Sequence, residues 1–316
     1  MVTYYLFRLL SFLVPLLPVS LAYWLADCTG ELGYAIGRRA RANVESNLRH
    51  VLGPQTKPEQ LRALAREAFR TQARNYLDLF RIPRLKLAEV DRLVEVEGWE
   101  RWQEALAQGK GLIVVAAHLG NLEIVAMKAV VRGYAVTLPV EPLKPPKLFD
   151  LVLRLRRSQG LNVVAADETA LKAIFRALRR NEVVALGADR DILGNGVEVP
   201  FFGQPALLPP AAALVALRTG SPILPVRSSR RPDGGYAAYV AEPIWLRPSG
   251  DRQRDVREGT ARMAATLEEF IGAQPGQWVM FEDVWNKDKE RSSLRANSQH
   301  GDKESCPLSL EGRGLG

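Results

Sequence analysis

The sequence is short of cysteine and of histidine. Its 316 residues include two cysteines, Cys28 and Cys306, and three histidines, His50, His118 and His300. Two cysteines cannot form a disulfide framework, no Cys-x-x-Cys zinc pair is present, and a reducing compartment fits this usage best. Three histidines leave little room for a histidine-rich metal site, so no metal is expected. No Gly-x-x-x-x-Gly-Lys-Ser/Thr loop and no Gly-x-Gly-x-x-Gly fingerprint occurs, so nucleotide hydrolysis and dinucleotide redox chemistry lack support. A Gly-x-Ser-x-Gly elbow is missing, and neither cysteine follows a strand as a nucleophile would. Acid is in deficit: 43 Lys and Arg face 35 Asp and Glu, a net charge of +8. That surplus favours an anionic partner, whether a membrane surface, a phosphorylated carrier or nucleic acid. The basic residues are scattered and no nucleic-acid module is recognisable, which makes the last the poorest choice. With 47% apolar and 25% charged residues the chain is globular rather than disordered. Its length suits one α/β domain with appendages.

One uncharged stretch stands out, the 18 residues Leu9 to Ala26. A straight helix of that length falls just short of the bilayer core of ~30 Å, and Pro15 and Pro18 kink it. The preferred reading is a hairpin-like or in-plane membrane anchor, ahead of a span or a buried hairpin. Arg8 alone precedes the run and Ser20-Leu21-Ala22 is a weak cleavage site, which disfavours a signal peptide. Arg38, Arg39 and Arg41 follow and suit anionic headgroups.

Thr56-Lys-Pro-Glu59 has the spacing of a capping box, and a helix is expected from 57 to 81, ended before Pro83. From residue 93 the pattern changes. Apolar runs at 93–96, 112–117, 135–140, 162–165, 183–187 and 223–226 alternate with helical patterns near 98–108, 121–132, 146–159, 168–180 and 208–219. Such alternation predicts an α/β fold with one mostly parallel sheet flanked by helices. The segment 236–240 alternates like an edge strand, and a last helix covers 252–272. The polar segment 286–316, which contains His300 and Cys306, reads as disordered.

The segment Gly111-Leu-Ile-Val-Val-Ala-Ala-His118-Leu-Gly-Asn-Leu-Glu123 places a histidine at a strand's carboxyl end, where ligands gather in such sheets. A turn through Gly120 and Asn121 leads into a helix whose first turn holds Glu123. A carboxylate that reaches back to an imidazole raises its basicity and fixes its tautomer. This is the requirement for a general base acting on a hydroxyl. With no protein nucleophile in competition, the pattern suggests direct attack of a substrate hydroxyl on an activated acyl group. A capping histidine beside a solvated glutamate is the plainer alternative.

His118-x4-Glu123 at the end of a strand resembles the first block of the lysophospholipid acyltransferase superfamily. The later run Ala188-Asp189-Arg190-Asp191, with Glu198 and then Phe201-Phe202-Gly203 and Pro209, is similar to the bacterial branch that holds the lipid A and phosphatidylinositol mannoside acyltransferases. The resemblance covers residues 30 to 285 and ends near Pro275-Gly-Gln-Trp278…Trp285. It implies that His118 is the base and Glu123 its charge partner. Glu141, Arg156, Asp189 and Arg190 are implied as active-site support; Arg154 and Arg157 flank Arg156. Gly120, Asn121, Asp191, Glu198, Phe201, Phe202 and Gly203 are implied at the substrate, the two phenylalanines lining the acyl or acceptor groove. Backbone amides near Gly120 and Asn121 are expected to hold the oxyanion. The Leu-Gly-Asn turn and the Asp-Arg-Asp run favour the mannoside branch, whereas Glu123 in place of aspartate matches the lipid A branch.

The implied activity is O-acyl transfer from acyl-CoA or acyl carrier protein, as co-substrate, to a hydroxyl of a glycolipid, with no further cofactor. Anionic membrane lipids are the implied partners and the cytoplasmic face of the cell membrane the implied place. Residues 1–40 are read as a membrane-associating helical segment, 41–285 as the acyltransferase domain and 286–316 as the tail. A lipid A acyltransferase, an acyl thioesterase and a catalytically degenerate lipid-binding protein are the alternatives.

Overall fold

Strands buried on both faces of a parallel sheet read as unbroken apolar runs, and Leu-Ile-Val-Val-Ala at 112–116 is buried along its whole length. A computed structural model describes residues 1–285. The tail 286–316, with His300 and Cys306, lies outside the described residues. Among those described, the strands are β1 (Val94–Glu97), β2 (Leu112–Ala116), β3 (Val136–Val140), β4 (Asn162–Ala165), β5 (Val183–Gly187), β6 (Val197–Phe201), β7 (Gln204–Leu208), β8 (Ile223–Arg230) and β9 (Tyr236–Val240). The helices are α1 (Val2–Leu13), α2 (Val19–Ile36), α3 (Arg38–Leu52), α4 (Pro58–Arg81), α5 (Leu87–Leu93), α6 (Trp99–Ala107), α7 (Leu122–Val131), α8 (Pro146–Arg157), α9 (Glu168–Arg179), α10 (Ala211–Thr219) and α11 (Arg252–Ala273).

The main sheet has the order β1-β9-β8-β2-β5-β3-β4 and is parallel except for the antiparallel pair β8–β9. It is the mostly parallel, helix-flanked sheet expected. Alternation along β2 divides the core. Leu112 and Val114 join the cluster under α5 to α8, while Ile113 and Val115 join the cluster under α9 to α11.

Two expectations fail locally, and one hairpin was not foreseen. The segment 236–240 is not an edge: β9 lies between β1 and β8, and its side chains alternate between full and partial burial. The capping box does not form. Lys57 caps α4 without a side-chain hydrogen bond, and the Thr56 hydroxyl turns back to the Gly53 carbonyl at 2.8 Å. The segment 197–208 folds as a separate hairpin, β6–β7. Its two turn residues, Phe202 and Gly203, both have positive φ, 49° and 74°, as a tight hairpin turn requires.

The uncharged stretch 9–26 breaks at its prolines. Pro15 lies in a short 3-10 turn, and Pro18 caps α2. No helix among the described residues is long and apolar enough to cross a membrane. Instead α1 and α2 lie against α4. Gly30 permits the close approach, since a Cβ there would sit 2.7 Å from the Arg70 Cα. Asp27 accepts two hydrogen bonds of 2.6 Å from Arg74, and Glu31 pairs with Arg70. The outer face keeps Tyr5, Leu9, Phe12, Leu16 and Trp24 exposed. Of the three arginines that follow, Arg38 and Arg39 are exposed, whereas Arg41 donates to the Tyr34 carbonyl and its guanidinium lies over the Tyr34 ring.

Candidate active site

Register places the central pair. Strands β2 and β5 are parallel neighbours with Ala116 opposite Gly187. Two residues further along each chain stand His118 and Asp189, side by side beyond the sheet's carboxyl edge. His118 Nδ1 lies 2.7 Å from Asp189 Oδ1, and the His118 backbone N–H donates to Oδ2 at 2.8 Å. The indole N–H of Trp278 also donates to Oδ2, at 2.8 Å. Asp189 is fully buried, whereas the His118 side chain is 38% exposed.

Facing an ionised carboxylate, Nδ1 carries the proton and Nε2 is left as the acceptor. Asp189 raises the imidazole pKa above its ordinary value and outweighs desolvation, which opposes protonation. Burial acts against ionisation of Asp189 too. The imidazole, the indole N–H and the His118 amide overcome it, so that the carboxyl stays below its ordinary range. Gly187 leaves room for the ring, because a Cβ there would lie 3.1 Å from His118 Cε1.

The charge partner of His118 is therefore Asp189, not Glu123. Glu123 is turned away along α7 and accepts from Arg156 of α8. The turn explains the difference. Asn121 caps α7 by accepting from the Glu123 and Ile124 amides at 3.2 and 3.1 Å, so the glutamate leaves the helix toward α8. Arg157, next to Arg156, is held elsewhere by the Val163 carbonyl. Glu141 and Glu282 flank Arg190, with Arg190 Nη1 donating to Glu141 at 2.8 Å and Nε to Glu282 at 2.7 Å. Burial alone disfavours charge on Arg190, but the two glutamates raise its pKa above the ordinary value.

The Gly120 and Asn121 amides are not open to a substrate. Gly120 N–H donates to the Gln277 carbonyl at 3.0 Å and Asn121 N–H to the Ser228 hydroxyl at 3.2 Å. Both close the turn. Gly120 has φ of +60°, and a Cβ there would lie 2.8 Å from the Ser228 carbonyl oxygen; that approach requires glycine.

His118 opens onto a cavity of about 2290 Å³ with mostly apolar walls. Glu123, Glu141, Arg156, Arg190 and Asp191 line it. One wall is formed by α1, α2 and α4, with Phe7, Leu10 and Phe80 among its residues; another is formed by α9 and α10, with Ile174, Phe175 and Arg218. Asp191 holds its own loop by accepting from the Gly194 and Gly196 amides, both at 3.0 Å. Glu198 is exposed on β6 and does not line the cavity. Phe201, Phe202 and Gly203 do not line it either. Phe201 is buried in the core, stacked on Trp285, and Phe202 packs on both rings. Aromatic burial beneath α11 explains their place. Asp78, Asn75 and Arg230, which hold the turn from below, escaped the reading of the sequence because each comes from a distant segment.

A family model for bacterial lipid A biosynthesis acyltransferases matches residues 1–287. The phosphatidylinositol mannoside acyltransferase of Mycobacterium tuberculosis is 32% identical over 266 residues, covering 80% of each chain. Its counterpart in Mycolicibacterium smegmatis is 27% identical over 286 residues, covering 82% of this chain and 92% of the relative. The lipid A biosynthesis lauroyltransferase of Escherichia coli is 25% identical over 276 residues, covering 84% and 86%. The strand-end histidine, the buried carboxylate on its Nδ1 and these matches lead to one conclusion: the chain belongs to the bacterial lipid A biosynthesis acyltransferase family and is an acyltransferase.

Proposed function

We propose that this acyltransferase moves a fatty acyl group from a thioester, acyl-CoA or acyl carrier protein, to a hydroxyl of a mannosylated phosphatidylinositol at the cytoplasmic face of a membrane. The observation that carries this is the His118–Asp189 pair opening into a large apolar cavity walled by the N-terminal helices. Nε2 of His118 takes the proton of the acceptor hydroxyl as its oxygen attacks the thioester carbonyl. Asp189 stabilises the imidazolium that forms. Of the first three amides of α7, Asn121 Oδ1 accepts two. The remaining one, from the cavity-lining Leu122, stands at the positive end of the helix and holds the tetrahedral oxyanion. Collapse breaks the C–S bond, and the imidazolium returns its proton to the leaving thiolate. The Glu123–Arg156 and Glu141–Arg190–Glu282 groups shape the polar floor where the sugar hydroxyls dock.

The exposed apolar face of α1 and α2 supports docking in the headgroup region rather than a crossing. Arg38 and Arg39 lie just past α2 and suit anionic lipids. Arg218, stacked on Phe175 at 4.9 Å at the cavity rim, offers its edge to a carrier's phosphate.

The mannoside acceptor is favoured over lipid A by the higher identity to the mycobacterial relatives and by the Leu-Gly-Asn turn. The test is incubation with acyl-CoA, with and without mannosylated phosphatidylinositol, followed by mass spectrometry. Acylated glycolipid is expected only when acceptor is present. Equal thiol release without acceptor would identify a thioesterase, and acylation of a lipid A precursor alone would move the acceptor to that branch.

A further inference from the structure

Beneath the His118 turn lies a second ionic centre in which the proposed chemistry has no part. Asp78 of α4 and Arg230 of β8 form a buried pair, 4% and 6% exposed at their side chains. Asp78 Oδ2 accepts from Arg230 Nη2 at 2.5 Å, from the Tyr236 hydroxyl at 2.8 Å and from Asn121 Nδ2 at 2.9 Å. Its Oδ1 accepts from the Tyr23 hydroxyl of α2 at 2.7 Å. The Arg230 guanidinium lies over the rings of Tyr236 and Tyr23, at 4.9 and 5.4 Å. Burial alone disfavours charge on Arg230, but Asp78 raises its pKa above the ordinary value.

The partners of this pair converge on the turn from His118 to Asn121. Asn121 donates from its side-chain N–H₂ to Asp78, and its side-chain oxygen accepts from the first turn of α7. Asn75 accepts from Arg230 Nη2 at 3.2 Å and donates to the Gly120 carbonyl at 2.7 Å. The Arg230 backbone exchanges hydrogen bonds of 2.7 and 2.9 Å with the Gln277 side chain, and the backbone carbonyl of Gln277 accepts from the Gly120 amide. The next residue but one, Val279, donates to the His118 carbonyl at 2.7 Å, and Trp278 holds Asp189. Burying an ion pair is weak evidence for stability alone, since apolar packing of the same volume does as well. What this pair has that apolar residues lack is direction: it fixes the turn from both sides.

We propose that the Asp78–Arg230 pair consists of positioning residues that set the His118 turn, so that the imidazole meets Asp189 in its working geometry. Tyr23 brings the same carboxylate into contact with α2, the helix that walls the cavity. The kinetic part of this inference rests on the proposed acyl transfer; the geometric part does not.

The test compares Asp78→Asn and Asn75→Ala with the parent. The second variant cuts the link from Arg230 to Gly120 and leaves the ion pair whole. The groups that face the His118 ring, Asp189, Arg190 and Glu282, are unchanged in both. Two readouts are taken on folded protein: the midpoint of His118 by NMR of labelled histidine, assigned with His118→Gln, and kcat against KM for acyl transfer. A lower His118 midpoint is expected in both variants, because the ring loosens from Asp189. A fall in kcat on the order of tenfold to a hundredfold is expected, with KM nearly unchanged, as for a displaced catalytic group. If Asp78→Asn does not fold, Arg230→Lys, which weakens the pair and removes its bond to Asn75, takes its place beside Asn75→Ala. Folded variants that keep the parent's His118 midpoint and kcat would overturn the proposal. A parent protein that transfers no acyl group removes the proposed function, and the NMR midpoint still decides the positioning role.

Discussion

Nδ1–H of His118 is committed to Asp189, so the lone pair of Nε2 is the basic site facing the cavity. A base must be neutral to accept a proton, and Asp189 lifts the pKa of the ring above the ordinary 6.5. Activity therefore falls as pH drops through that raised value, and the acid limb of kcat/KM is expected above 6.5. In Asp189→Asn the carboxylate's pull is gone while desolvation remains. The limb then moves to lower pH, and kcat drops by about 10²–10⁴ because the tautomer is no longer enforced. A pH profile of the two proteins checks both effects. Gly187→Ala is the complementary change. Its methyl would stand 3.1 Å from Cε1 of a ring already pinned by Asp189, so the ring must shift, and kcat is expected to fall about tenfold with little change in Tm.

At the scale of elements, α1 and α2 present apolar side chains outward, while on the inner side salt bridges tie α2 to α4 and Phe7 of α1 packs on Tyr76 and Phe80 of α4. Burying a leucine or phenylalanine side chain contributes roughly 1.5–3 kcal/mol. Leu9→Glu with Phe12→Glu is thus expected to weaken co-sedimentation with anionic vesicles about a hundredfold or more and to leave the fold intact. Equal sedimentation of variant and parent would remove the docking role of this face. Apolar runs made the central strands β2, β3 and β5 legible, because burial on both faces writes itself into the residues. The partner of β9 was not legible. Its alternation is that of a half-exposed strand, and only the topology shows β1 alongside it. The β6–β7 hairpin was missed because Phe202 stands at a positive φ that glycine or asparagine would have announced.

Across the whole molecule, the site is assembled from segments that the chain keeps far apart. His118 and Asp189 are 71 residues apart, and Trp278 is 89 from Asp189. Spacing within one segment pointed to Glu123, five residues from the histidine, and a helix cap turned that carboxylate away. The missing signal was available in outline: two buried strands, each followed within two residues by a titratable group, bring those groups together when the strands are parallel neighbours. What no spacing could give was which strands are neighbours, and hence which acid meets the base. The N-terminal helices, the paired carboxylate and the apolar cavity then converge on one imidazole. The most direct measurement is single-turnover acyl transfer from acyl-CoA to mannosylated phosphatidylinositol by the parent and by His118→Ala. The account predicts a loss of about 10²–10⁴ in rate on removing the imidazole. A folded His118→Ala protein that transfers at the parent rate would contradict it.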